Sequence, residues 1–142
     1  MSGGNQVRPS FIDTNIWLYA FIPSQDAHKA MLAKAIIGRG DIIISLQVIN
    51  EVCVNLIKKA QFDEARIRQL INSFYSRYTV VSTDRVALLK ASEFRGTLTL
   101  SFWDSLIISS AVLGGAEVLY TEDMSNGMVI ENRLTIRNPF LP

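Results

Sequence analysis

Cysteine is almost missing from this sequence: Cys53 stands alone in 142 residues, so no internal disulfide can staple the fold, and a packed core must hold it. Its place within an apolar helical pattern marks it as a buried structural thiol rather than a nucleophile. Histidine is as scarce. His28 is the only one, it falls on an early helix away from the acids discussed below, and no Ser or Cys nucleophile is paired with it, so a catalytic triad has nothing to stand on. An excess of one charge is also lacking: 14 basic against 13 acidic residues give a net +1, and composition alone supplies no general attraction for nucleic acid. Long hydrophobic runs are absent too. The greasiest stretch, Ser105 to Gly114, falls well short of the roughly 20 apolar residues of a membrane helix, and the first residues carry neither a charged leader nor an apolar segment. A soluble cytoplasmic protein is expected. Residues 1–8 read as a flexible tail and 9–142 as a single domain, and a hydrophobic content of 49% is enough to fill one core.

The chain alternates short β-branched runs with helical segments. Pro9 to Ile12 reads as a first strand that stops at Asp13, and Asn15 to Phe21 continues as a helix. Ser24 is placed to cap a second helix that Gly38 and Gly40 end. Ile42 to Ile44 form a second strand, after which Ser45 caps a helix running through Val48, Val52, Leu56 and Lys59. Asp63 opens an amphipathic helix over Arg66 to Tyr78, and Thr79 to Val81 gives the third strand. Thr83 or Asp84 caps a helix to Arg95 that Gly96 breaks, and Ser101 caps another, Phe102 to Leu113, ended by Gly114-Gly115. Val118 to Tyr120 is the fourth strand. Ser125-Asn126-Gly127 turns the chain, and Leu134 to Ile136 makes a fifth. Such alternation predicts an α/β fold, a central parallel sheet of about five strands with helices on both faces, because each parallel strand needs a crossover and helices supply it.

Four acids fall where such a sheet builds sites, just past the carboxyl ends of its strands. Asp13 follows the first strand, Asp123 the fourth, Glu51 lies early in the helix after the second, and Asp104 sits in the first turn of its helix. Taken singly, each has an ordinary structural explanation, since Asp caps helices and acids favour first turns. Glu51 is the hardest to explain that way, because Val48 and Val52 beside it are apolar. Two unit charges about 4 Å apart repel by roughly 4 kcal/mol at an effective dielectric near 20, so converging carboxylates call for a cation. Oxygen-only ligands favour Mg²⁺ or Mn²⁺ over zinc, and such an ion supports phosphodiester hydrolysis. Asp26, Asp63, Glu64 and Asp84 read as first-turn residues and Asp41 as a residue leading into a strand. Glu122, adjacent to Asp123, either assists the site or faces solvent.

Four stretches together, Phe11-Ile12-Asp13-Thr14-Asn15, Ser45-Leu46-Gln47-Val48-Ile49-Asn50-Glu51, Phe102-Trp103-Asp104-Ser105-Leu106-Ile107 and Leu119-Tyr120-Thr121-Glu122-Asp123-Met124, resemble a PIN domain of the VapC-like toxin group. The likeness runs from Pro9 to Phe140. It implies a PIN-like five-stranded parallel sheet and an Mg²⁺- or Mn²⁺-dependent endoribonuclease, with Asp13, Glu51, Asp104 and Asp123 as metal ligands and catalytic residues. Asn15 and Thr121 are implied as polar supports, against an equally ordinary role in capping or turns. Trp103 has the look of an RNA-stacking residue, but the resemblance implies core packing at the helix start. Lys58, Lys59, Arg85 and Arg95 are candidates for RNA phosphates, or simply solvated helix surface.

The same resemblance implies a homodimer silenced by a small antitoxin, which would cover the apolar face around Ile16, Leu18 and Phe21. Two other readings compete. A PIN-like module that binds RNA or protein without cutting would use the acids for structure or solubility. An aspartate phosphoacceptor would also place Asp at a strand end, but it calls for paired acids after the first strand and a Lys after the last, and this chain has no Lys beyond Lys90.

Overall fold

Side chains alternate between the two faces of a strand, so a run buried at every position belongs to a sheet covered on both sides. Ser10 to Ile12 and Ile42 to Ser45 are such runs, with Phe11, Ile12 and Ile44 fully buried. The computed structural model describes residues 7–142; all but the last two residues of the expected N-terminal tail lie outside them, and Val7 and Arg8 are exposed and irregular. Strands β1 (Ser10–Ile12), β2 (Ile42–Ser45), β3 (Thr79–Val81), β4 (Val118–Tyr120), β5 (Val129–Ile130) and β6 (Leu134–Arg137) form one sheet in the order β3-β2-β1-β4-β6-β5. All pairings are parallel except that of β5 with β6. The sheet thus has six strands rather than about five. The added β5 is two residues long, too short to show a period of two in sequence.

From β1 the chain moves outward through β2 and β3 on one side, and β4 returns on the other. That reversal is a topological switch point, and it opens a crevice at the carboxyl ends of β1 and β4. Side-chain oxygens start each helix by accepting a backbone N–H that the first turn leaves free. Asp13 caps α1 (Thr14–Phe21), Ser45 caps α3 (Leu46–Ala60), Asp63 caps α4 (Glu64–Arg77), Asp84 caps α5 (Arg85–Leu98) and Ser101 caps α6 (Phe102–Leu113). Helix α2 (Ala27–Ile37) is capped by Asp26, whose carboxylate accepts from Lys29 N at 3.0 Å; Ser24, expected in that role, lies two residues too early.

Gly96 does not break α5, which continues to Leu98 and ends where Thr99 takes a left-handed φ of 55°. The packing of α5 against α6 holds the helix through a glycine whose interior cost is only about 1 kcal/mol. Gly114 is needed for a different reason. A Cβ there would stand 2.8 Å from Val81 Cγ2 and 2.9 Å from Ile43 Cγ2, because the end of α6 sits directly on the sheet.

Helix α1 is fixed from below and beside. Trp17 Nε1 donates to the Ile12 carbonyl at 3.0 Å, and its ring meets Phe74 edge-on at 5.1 Å and Tyr78 at 5.3 Å. Ile16 and Leu18 are buried (0% and 5% exposed) and Phe21 is partly so. Ile16 and Leu18 are core, not the free apolar face expected of them, because α1 packs against both α2 and α3; only the Phe21 side of the helix stays partly open. The same packing anchors the N-terminus that carries Asp13.

Candidate active site

The switch-point crevice holds the four acids. Asp13 is the innermost, 8% exposed, with Oδ1 accepting from Thr14 N at 2.7 Å and Oδ2 from the Thr121 hydroxyl at 2.8 Å. Burial pushes its carboxyl up from 3.8 to about 6 against those two hydrogen bonds, with the Glu51 and Asp123 charges adding to the rise. Asp123 stands across from it on the loop after β4, its Oδ2 accepting from Asn15 Nδ2 at 2.7 Å and its backbone N–H donating to Thr121 Oγ1 at 3.2 Å. Burial, then the neighbouring Glu122 and Asp104 carboxylates, push Asp123 up as well. Glu51, on the second turn of α3, is raised by burial and by Asp104 and Asp123, while the Thr14 hydroxyl and the Trp103 indole beside it pull the other way.

Each of the four therefore feels at least two of the others or is felt by them, although they come from positions 13, 51, 104 and 123 of the chain. Asp104, in the first turn of α6, is held there by its own N–H donating to the Ser101 hydroxyl at 3.0 Å. Among the described residues no three His, Cys, Asp or Glu side chains are drawn into a ready-made ligand set. The donors left open are all oxygen, and Oε1 of Glu51 is buried without a hydrogen-bond partner.

Asn15 and Thr121 are where the sequence put them, each tied to a different carboxylate. Thr121 bridges two acids, because one hydroxyl donates to Asp13 and accepts from Asp123 N. Thr14 escaped notice in sequence although it lies between two expected site residues. It is 5% exposed, and its hydroxyl faces Glu51 closely enough to lower that carboxyl's pKa without closing a hydrogen bond of good geometry.

Glu122 is committed elsewhere. It accepts from Tyr19 Oη at 2.7 Å and from Lys29 Nζ, and the hydrogen bonds to Glu122 and Tyr19 push the Lys29 ammonium up to about 12. That ammonium also lies 4.9 Å from the Tyr19 ring centre and 5.0 Å from that of Phe140. Nothing local in the sequence announces this cluster, whose members are 93 and 103 residues apart. It ties the loop carrying Asp123 to α2 and to the C-terminal segment.

Trp103 is not core. It is 51% exposed, in a first turn of α6 whose Phe102 is exposed as well, and continuous burial begins only at Ser105. Of the four proposed phosphate contacts, Lys59 lines a hollow with Asn15 and Glu122, while Lys58, Arg85 and Arg95 lie on exposed helix surface. Cys53 is buried, as its helical context required.

Parallel strands, a switch point between β1 and β4, and acids converging there from four elements define an α/β domain with a carboxylate cleft. The family model for the PIN domain matches residues 10–125, and the chain belongs to that family. No curated protein sequence matches it. Among solved structures it is similar to a toxin–antitoxin complex from Klebsiella pneumoniae, with 22% identity and a TM-score of 0.69 over 92% of this chain and 98% of that one. It is also similar to VapC20 of Mycobacterium tuberculosis, a toxin that cleaves the sarcin–ricin loop, with 17% identity and a TM-score of 0.64 over 80% and 91% of the two chains. A third likeness is to VapBC2 of Rickettsia felis bound to a fragment of its promoter DNA, with 22% identity and a TM-score of 0.60 over 91% and 98%. At these identities the likeness is one of fold, the fold of the VapC-type toxins. No single helix among the described residues is long and apolar enough to cross a membrane.

Proposed function

We propose that this chain is a Mg²⁺- or Mn²⁺-dependent endoribonuclease and the toxin of a toxin–antitoxin pair. The observation that supports the reading most is the carboxylate cleft itself: Asp13 held at a pKa near 6 beside Glu51, Asp104 and Asp123, with Glu51 Oε1 buried and unpaired. A group left in that condition costs about 1–3 kcal/mol, and a divalent cation among the four would remove the cost. The donor set fits a hard ion, being all oxygen and without thiolate or imidazole. Asp13, Glu51, Asp104 and Asp123 are the residues that would hold it. When bound, such an ion lowers the pKa of water and stabilises charge on a phosphoryl oxygen.

The chain's own residues prepare that chemistry. Thr121 and Thr14 N hold the Asp13 carboxylate in one orientation and Asn15 holds Asp123, and burial of Asp13 makes its charge act more strongly than it would in water. Lys59, on the rim near Asn15, is positioned to meet a backbone phosphate.

The same proposal seats a small antitoxin on the apolar surface of the early helices. A groove of about 530 Å³ runs between α1, α2 and α4, walled by Trp17, Phe21, Ile37, Phe74 and Tyr78 with Lys34 and Arg77 at its edge. An apolar peptide segment carrying an acidic residue suits it. A homodimer is part of the same proposal, and Val86 and Leu89, 59% and 62% exposed on α5, offer apolar surface for a second copy.

The test is cleavage of RNA in the presence of Mg²⁺ or Mn²⁺ by the wild type and by Asp13→Asn. Loss of metal-dependent cleavage in the variant is expected. Equal cleavage by both chains removes the proposal, and failure of the intact chain to bind Mn²⁺ by calorimetry favours a PIN-like module that binds without cutting.

A further inference from the structure

Beside the acid cleft lies a second hollow, of about 570 Å³, between α3, α4 and the start of α6. Three features of it have no structural use. Gln47, in the first turn of α3, lines it and is only 8% exposed, yet neither its amide nitrogen nor its amide oxygen has a hydrogen-bond partner. Thr83, on another wall, has a buried hydroxyl without a partner. Trp103 lines the rim and is half exposed. A buried amide unsatisfied at both ends is among the more costly groups a core can hold, and replacing it with an apolar side chain is ordinarily stabilising.

The hollow is continuous in sequence and space with the catalytic acids. Gln47 precedes Glu51 by four residues and shares its face of α3; Trp103 precedes Asp104, and its indole lies against Glu51. We propose that this hollow seats one nucleobase of a single-stranded RNA whose phosphate lies at the acid cleft, with the base stacked on Trp103 and its edge read by the Gln47 amide. The proposal rests on the ribonuclease reading and adds to it the element that selects where the chain is cut. A side-chain amide presents one donor and one acceptor in a plane, the complement of an adenine edge, and a good bidentate pair of this kind discriminates against the wrong base by roughly tenfold or more. Unstacked RNA bases are typically captured on aromatic side chains and read along such edges. A second copy of the chain could fill an apolar hollow too, but it would have no need of the position beside Glu51 or of an unpaired amide.

The experiment titrates the four nucleoside 5′-monophosphates into the full chain in the presence of Mg²⁺, which offsets the carboxylates beside the phosphate, following tryptophan fluorescence. Trp17 is buried (1% exposed), so quenching reports Trp103, and Trp103→Phe is the control that abolishes the signal. Saturable quenching strongest for AMP is expected, with about tenfold weaker binding in Gln47→Leu. In Gln47→Glu, whose carboxylate only accepts, preference is expected to shift toward the two-donor edge of GMP. Absence of saturable quenching overturns the proposal, as does equal affinity for all four nucleotides in the wild type and Gln47→Leu. Conversion of a dimer into a monomer by Trp103→Ala overturns it in favour of a second copy. Metal-dependent RNA cleavage with a base preference unchanged in Gln47→Leu leaves the nuclease standing and removes the base pocket. Quenching that requires Gln47, in a chain that cleaves no RNA, keeps the pocket and removes the nuclease.

Discussion

Replacing Asp13 by Asn should make the metal-free protein more stable at neutral pH while abolishing its activity. The carboxyl is raised from 3.8 to about 6, chiefly by burial. A carboxyl with a folded pKa above its unfolded value binds its proton more tightly in the folded chain. Its protonated form therefore supports the fold fully below about pH 4, and that support is lost as pH rises from about 4 to about 6. Above that window the ionised Asp13 costs up to about 3 kcal/mol. Asn keeps the shape: its Oδ1 can accept from Thr14 N, its Nδ2 can donate to a rotated Thr121 hydroxyl, and it caps α1 as well as Asp does. Thermal melts at pH 8 in chelator should therefore show Asp13→Asn higher by as much as roughly 6–12 °C, with the gap closing by pH 4. Adding Mn²⁺ should reverse the order, since an ion at 100 times its Kd stabilises the wild type by about 2.7 kcal/mol and the variant by much less. A variant less stable than wild type at pH 8 in chelator, or a gap indifferent to pH, refutes the account of Asp13 as a buried, uncompensated charge.

Lys29→Met should weaken Mn²⁺ binding measured by calorimetry, because the Glu122 contact that ties down the Asp123 loop is gone; Lys29→Arg should restore it. Gly114→Ala should lower stability in denaturant titration by about 1–3 kcal/mol, since the new methyl meets Val81 and Ile43 at under 3 Å. Ser101→Ala removes the cap of α6 and should cost about 1 kcal/mol. It should also reduce cleavage further than that loss of stability explains, because Asp104 N loses the hydroxyl that fixes the first turn.

What could be read from the sequence was whatever one residue states about its own neighbourhood. Strands at Thr79–Val81 and Val118–Tyr120 and the helix Phe102–Leu113 have the expected ends, since caps and β-branched runs are local signals. The grouping of Asp13, Glu51, Asp104 and Asp123 followed from their position after strands or in first helical turns, which parallel topology converts into proximity. What escaped depends on partners distant in the chain. Ile16 and Leu18 looked like a free face because nothing in α1 says that α2 and α3 enclose it. Trp103 looked like core because bulk alone does not reveal that the first turn of α6 is exposed and the helix is buried only from Ser105. Glu122 stayed open until Lys29 and Tyr19 were seen to meet it.

Most of the unsatisfied side-chain groups among the described residues lie at one edge of the sheet. Thr14 Oγ1, Gln47 Nε2 and Oε1, Glu51 Oε1, Thr83 Oγ1 and Ser105 Oγ are all buried without partners, and they belong to the segments after β1, β2 and β3 and the first turns of α6, at the carboxyl edge of the sheet. Toward the opposite end only Ser110 Oγ, in the last turn of α6, is left in the same condition. If these orphans were accidents of packing, apolar or isosteric neutral replacements at the carboxyl edge would be the easiest stabilising substitutions in the molecule, and a sequence under no other demand would have taken them. Their concentration at the mouth of the acid cleft points to groups held ready for a ligand that satisfies several of them at once, a hard cation for the oxygens of Thr14 and Glu51 and a nucleotide edge for Gln47.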